Sequence, residues 1–147
     1  MRLVVQRVKK ARVTRVEDGE VVGEIGNGLF VLLGVKKGDT EKEVNVSVDK
    51  LAKLRVMSDS NNKMNLSVVD TKSEILVVSQ FTLHADTTGG NRPSFINAAL
   101  PNDARKIYEQ FIIKLKEKGI KVETGSFGDY MEIEAVLDGP VTIIYSD

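Results

Sequence analysis

Two runs of this chain are apolar without a break. Residues 29–35 read Leu-Phe-Val-Leu-Leu-Gly-Val, and residues 75–78 read Ile-Leu-Val-Val before the chain turns polar at Ser79. A strand with one wet face alternates apolar and polar residues, so a run with no polar member reads as a strand covered on both faces. The material to cover such strands is present. Thr40 to Glu43 matches the capping box, in which hydroxyl and carboxylate satisfy the orphan N–H groups of a helix start. Val44, Val48, Leu51 and Ala52 then fall on one helical face, which fades near Leu54. Ala104, Ile107, Tyr108, Phe111, Ile112 and Leu115 form a second face at the 3.6-residue period. Asn102 or Asp103 is the expected cap of that helix, and Gly119 its stop.

The rest of the chain reads as strands and turns. Residues 3–16 form a long strand with basic punctuation, and a bulge near Lys9 and Lys10 would repair its imperfect alternation. Asp18-Gly19 marks a hairpin turn into a strand at 21–25, and Gly26-Asn27-Gly28 marks a second turn. Residues 54–57 could form a short strand, 58–63 a turn and 64–68 a strand or edge. The closing strands are expected at 120–123, 131–137 and 141–145, with Asp138-Gly139-Pro140 joining the last two. A chain of 147 residues with no linker or repeat suits a single domain spanning 1–147. The expected architecture is mixed α/β: a curved, mostly antiparallel sheet or barrel covered by two main helices.

Composition removes several function classes. Lys+Arg and Asp+Glu number 21 each, and zero net charge argues against binding nucleic acid through a bulk positive field. Without cysteine there is no disulfide scaffold and no thiolate metal site. One histidine, with no paired-histidine spacing, argues against catalytic zinc. No run approaches the roughly 20 apolar residues of a membrane helix, and the N-terminus does not read as a signal peptide. The expectation is a soluble, cytoplasmic protein.

Three segments could carry chemistry. The first is 79–86, where the buried strand ends in Ser79, Gln80, Phe81, Thr82, Leu83 and the lone His84. Backbone N–H groups and small hydroxyls at a strand end are placed where ligands bind. The second is 138–142, where a Gly-Pro pair between strands has the ordinary reading of a turn. The third is Arg92-Pro93-Ser94-Phe95, after a Gly/Thr-rich loop at 86–93. His84 follows Ser79 and Thr82 closely, but no Gly-x-Ser-x-Gly elbow is present. No phosphate-binding glycine pattern occurs either. The residues alone reach a soluble α/β domain with a polar strand-end site.

The pair Ser79-Gln80-Phe81-Thr82-Leu83 and Gly139-Pro140-Val141-Thr142 resembles the motif pair of the D-aminoacyl-tRNA deacylases, the D-tyrosyl-tRNA deacylase family. Residues 1–8, 34–40, 54–56, 63–67 and 92–95 also look like words of that family, so the resemblance runs from Met1 to Tyr145. It implies hydrolysis of the ester between a D-amino acid and the 3′-terminal adenosine of tRNA. It implies a homodimer with sites across the interface, no cofactor, no membrane and no DNA partner. It implies a cis Gly139-Pro140 bond that enters the partner's pocket, where two carbonyls hold the substrate ammonium and crowd out an L side chain. Such a filter passes glycine, so mischarged glycyl-tRNA is an implied substrate.

By the same resemblance, Ser79, Gln80, Phe81 and Thr82 form the catalytic segment, whose N–H groups polarise the ester carbonyl. Phe81 packs on the terminal adenine. Gly139, Pro140 and Arg7 serve chiral selection, with Arg7 a brace whose guanidinium holds carbonyls in a fixed fork. A nucleophilic Thr82 would need a base, and only His84 is near in sequence. The tRNA's own 2′-hydroxyl is the favoured alternative. The family commonly has Asn where this chain has Leu137, so the turn must be ordered otherwise, with Asp138 the candidate. Lys9, Lys10, Arg12 and Arg15 are a candidate tRNA patch, against the reading of edge charges that block aggregation. Two rivals compete: a non-catalytic nucleic-acid-binding homodimer, and an editing module like that of some archaeal threonyl-tRNA synthetases. The Gly-Pro pair argues against both.

Overall fold

The structure, a computed structural model, describes residues 1–146. Its organising strand is β1 (Arg2–Arg15). Along one edge β1 carries β8 (Met131–Ser146) over its whole length. Along the other edge its first half pairs with β3 (Gly28–Gly34) and its second half with β2 (Val21–Ile25). All three pairings are antiparallel. β6 (Glu74–Ser79) then joins β3 in parallel, and β7 (Val122–Thr124) joins β6 in parallel. The sheet curls until its ends meet. At Gly23 of β2, a Cβ would stand 2.3 Å from the Thr124 carbonyl of β7.

The curl explains the unbroken apolar runs. Successive residues of a strand face opposite sides. Ile75 and Val77 point into a core shared with the helices, and Leu76 and Val78 into the barrel interior with Val8, Val13, Ile25 and Phe30. The outer core is closed by α1 (Glu41–Lys53) and α3 (Pro101–Glu117). Val44, Val48 and Leu51 meet Phe111 and Leu115 there. Full burial of a side chain the size of Phe111 contributes about 1.5–3 kcal/mol.

Most expected elements form. The Thr40 capping box is present, with the Thr40 N–H donating to Glu43 at 2.8 Å. α3 starts earlier than its polar residues suggest. Pro101 is its first residue and Leu100 its cap, because proline has the right φ and lacks an N–H that the first turn would not use. Gly119 follows the helix at φ +77°, as a left-handed stop requires. Between β4 (Met57–Ser58) and β5 (Met64–Leu66), Asp59 organises the turn by accepting from the Asn61 and Lys63 N–H groups. α2 (Val68–Thr71) takes Val68, the last residue of the strand expected at 64–68, because Ser67 and Asp70 make a second capping box.

β1 and β8 bring one agreement and one correction. The pairing slips around Lys9, as its pattern suggested, and also at Arg7. The two strands expected at 131–137 and 141–145, joined by a turn, are one strand. β8 runs on in one direction, with residues 138–141 looped out between the pairs Val8–Leu137 and Gln6–Thr142.

One electrostatic link ties the start of β6 to its neighbours. The Glu74 carboxylate accepts from Lys121 Nζ at 2.6 Å and from the Gly26 N–H at 3.0 Å. The ammonium first, and the N–H second, hold Glu74 below the usual carboxylate range. A carboxyl lowered in the folded state stabilises above its unfolded pKa, near 4, and loses that contribution as pH falls through the lowered value. Glu74→Gln will therefore flatten the acid limb of the stability profile while changing the neutral region less per pH unit. Urea melts between pH 2 and 7 will check it, and an unchanged acid limb would refute it.

Candidate functional site

β6 leaves the sheet at Ser79. The Gln80 N–H still donates to the Leu33 carbonyl at 2.8 Å, and the chain then coils into one 3-10 turn, Phe81–His84. Gly34 makes room for that turn. A Cβ at Gly34 would lie 3.0–3.1 Å from Leu83 Cβ, the Gln80 carbonyl and the His84 ring. Arg2 Nη1 holds the far end by donating to the Leu83 carbonyl at 2.5 Å. The first N–H groups of such a turn, on Phe81 and Thr82, have no acceptor within it.

The side chains of the segment divide sharply. Phe81 is 54% exposed and meets Phe95 edge-on, with ring centroids 5.0 Å apart. Thr82 Oγ1 accepts a short hydrogen bond from Gln80 Nε2. His84 is buried, and its Nε2 has no hydrogen-bond partner among the described residues. Thr82 and His84 therefore make no nucleophile–base pair.

Beside Ser79, Gln80 and Phe81 lies a cavity of about 730 Å³. Phe127, Tyr130 and Ile133 also line it, as does Leu100 at the start of α3. Tyr108 reaches from α3 to donate to the Val77 carbonyl at 2.8 Å, under the same strand end. Burial pushes its hydroxyl pKa upward. Phe95 arrives through the 92–95 segment. Asp86 and Ser94 exchange backbone bonds of 2.8 Å at the neck of the Gly/Thr-rich loop. The walls at 127–133 had no signature in sequence beyond two aromatic residues near glycine.

Residues 138–141 form the second cluster. The Gly139–Pro140 bond is cis, and Gly139 has φ +128°. Arg7, largely buried, holds this loop from beneath. Its Nε lies 2.9 Å from the Asp138 carboxylate and donates to the Asp138 carbonyl at 3.3 Å. Its Nη1 donates to the Val56 carbonyl at 2.8 Å and to Ser58 Oγ at 3.2 Å. Asp138 thus ties the loop to Arg7, one residue after Leu137, which stays paired with Val8 in the ladder.

One chain does not bring the two clusters together. Leu3 stands in register with Leu33 and Tyr145, and Leu33 with Ser79. Ser79 and β8 are thus three strand spacings apart, about 14 Å at the usual separation, and the loop lies further along β8. The basic cluster on β1 is also less free than its sequence suggests. Arg12 pairs with Glu24 at 2.8 Å, and Arg15 with Asp18 at 2.6 Å and with Glu20. Lys9 and Lys10 remain exposed.

The fold and site define a small α/β protein whose strand-end cavity offers backbone donors and aromatic faces rather than an activated nucleophile. Residues 4–146 match the family model described as D-Tyr-tRNA(Tyr) deacylase, and the chain belongs to that family. It is 52% identical over 144 residues to a D-aminoacyl-tRNA deacylase of Brevibacillus brevis, covering 98% of each chain. It is 53% identical over 144 residues to one of Aquifex aeolicus, covering 98% of this chain and 96% of the other. The solved structure of a c-Myc DNA unwinding element binding protein is similar throughout, with TM-score 0.92, 40% identity and coverage of 100% and 99%. A structure described as a probable eukaryotic D-amino acid tRNA deacylase shares the fold at TM-score 0.85 and 15% identity, covering 98% and 97%.

Proposed function

We propose that this chain, acting as one domain over 1–147 in the cytoplasm, hydrolyses the ester between a D-amino acid and the 3′-terminal adenosine of tRNA. Free tRNA and the D-amino acid are released, and the L ester is spared. The observation that carries the reading is the division of the site. A strand-end cavity walled by Ser79, Gln80 and Phe81 lies in one place, and a loop held by Arg7 lies in another. A second copy of the chain completes the site by inserting Gly139 and Pro140 beside the cavity. The active species is then a homodimer with two sites.

In this reading Phe81, steadied by Phe95, packs on the terminal adenine. The N–H groups of Phe81 and Thr82 face the ester carbonyl and stabilise the oxyanion as water attacks. The acyl–oxygen bond breaks, and the 3′-oxygen leaves as a hydroxyl with the neighbouring 2′-hydroxyl assisting proton transfer. The Gly139–Pro140 loop accepts hydrogen bonds from the substrate ammonium and occupies the space an L side chain needs. Glycine has no side chain, so mischarged glycyl-tRNA is also a substrate. Thr82, with no base in reach, positions Gln80 through the bond between them. Thr82→Ala will keep measurable activity in single-turnover assays, and a fall to the uncatalysed rate would make Thr82 essential instead.

The test is single-turnover deacylation of D-tyrosyl-tRNA and L-tyrosyl-tRNA side by side. Rapid loss of the D ester alone supports the reading, and loss of both removes the filter. Loss of neither would select a second reading, a nucleic-acid-binding dimer without catalysis. That reading draws on the similarity to the DNA unwinding element binding protein. Zero net charge weighs against it.

A further inference from the structure

The chain has a second large concavity, between α1 and the end of β8. It is an open groove of about 710 Å³, lined by Lys50, Lys53, Leu54, Arg55 and Tyr145, with Asp49 at its rim. Its charges are unevenly committed. Asp49, the carboxylate lining it, pairs with Lys118 at 2.5 Å. Lys50, Lys53 and Arg55 form no ion pair among the described residues. Arg55 is instead fixed by neutral partners, donating to the Asn65 carbonyl at 2.7 Å and to the Asn65 side chain. The contrast with β1 is clear, since Arg12 and Arg15 there are covered by Glu24, Asp18 and Glu20. In a chain of zero net charge, this groove concentrates free positive charge beside an apolar floor.

Its position connects it to the filter. Arg55 immediately precedes Val56, whose carbonyl accepts from Arg7, and Arg7 holds Asp138. Tyr145, which lines the groove, lies on β8 beyond the loop. The groove is therefore linked to the Gly139–Pro140 loop through Val56 and Arg7. We infer that the Lys50–Lys53–Arg55 groove binds the phosphate backbone of a tRNA acceptor arm whose 3′ end lies in the partner subunit's cavity. This rests on the deacylase reading above. In that dimer, a loop that enters one site brings the groove of its own chain with it, and the groove offers a seat for the acceptor stem. The occupant is argued from charge: three cations without an ion-pair partner among the described residues match a polyanion and exclude another cationic surface.

The test separates phosphate contacts from chemistry. Two substrates are compared, D-tyrosyl-tRNA and D-tyrosyl-adenosine, which has the ester and base but no acceptor stem. The variants are Lys50→Gln with Lys53→Gln, and the same pair with Arg55→Gln. A Lys9→Gln, Lys10→Gln pair serves as the control. Each lost phosphate contact flattens the plot of log kcat/KM against log salt by about 0.7–0.9. The double variant should lower the slope on tRNA by roughly 1.5, leave hydrolysis of D-tyrosyl-adenosine unchanged, and exceed the control. An unaltered slope, or an equal fall on both substrates, would overturn the assignment. The double variant leaves the Arg55–Asn65 contact intact, so misfolding of the triple variant does not blunt the test. If the unaltered protein cleaves neither ester, the deacylase reading fails by itself. The salt slope of tRNA retention on filters then decides the groove separately.

Discussion

Gly139→Ala will collapse the discrimination between D- and L-tyrosyl-tRNA while the chain remains folded. Gly139 sits at φ +128°, where an L side chain is strained. A Cβ there would approach the Val141 nitrogen and Cγ2 at 2.8 Å. Holding alanine in such a conformation costs about 1–3 kcal/mol, so the loop relieves it by moving. A displacement near 1 Å in a positioning element costs on the order of 100-fold in rate. The loop is looped out of the β1–β8 pairing, so its movement leaves the ladder on either side intact. The expected result is a D-to-L rate ratio reduced on the order of 100-fold, with a melting curve close to that of the unaltered protein. Arg7→Lys should give the same loss more mildly, because an ammonium cannot hold Val56, Ser58 and Asp138 in one planar fork. Unchanged selectivity in both folded variants would exclude the loop from chiral selection.

Gly28→Ala carries the largest expected loss of stability. Gly28 reads as a turn residue, yet it is the first residue of β3 and pairs in register with Glu74 of β6. A Cβ at Gly28 would stand 1.9 Å from the Glu74 carbonyl oxygen and 2.8 Å from its carbon. Both atoms are backbone, so no side chain can turn aside. The two strands must separate where the parallel ladder begins, in the layer that shields both cores. Overpacking of this kind costs about 1–3 kcal/mol, and more where backbone is displaced. We expect a loss at or above the top of that range by urea denaturation. Gly38→Ala, in open space, should cost less and mainly through its φ of +89°. Equal losses at the two positions would mean that the β3–β6 approach is not the constraint.

Much of the candidate site was readable along the chain. Ser79 to Thr82 stand out because an apolar run ends there abruptly, and the structure puts a cavity beside Ser79, Gln80 and Phe81, though not Thr82. The brace role suggested for Arg7 has a geometric counterpart in its four contacts, two of which fall on Asp138. The Gly139–Pro140 segment misled as local structure. Gly-Pro between two apolar stretches has the same local signature whether the chain reverses or bulges. Only the continued pairing of β8 with β1 distinguishes them. The charge cluster on β1 misled for a related reason. Glu24 comes from a paired strand and Asp18 and Glu20 from the turn, and their reach to Arg12 and Arg15 depends on register.

The sequence by itself determined what depends on neighbours within a turn or two of chain. That includes the capped helix after Thr40, the apolar faces of α1 and α3, the stop at Gly119, and the two strands that must be buried on both sides. Periodicity and capping are local, so local chemistry suffices to decide them. The tertiary structure decided the direction of the chain through 138–141, the close approach at Gly28 and Gly23, the aromatic residues that line the cavity with Phe81, and the free charge of the Lys50–Arg55 groove. Each depends on which distant strand, loop or carboxylate lies alongside, and that is set only when the sheet closes.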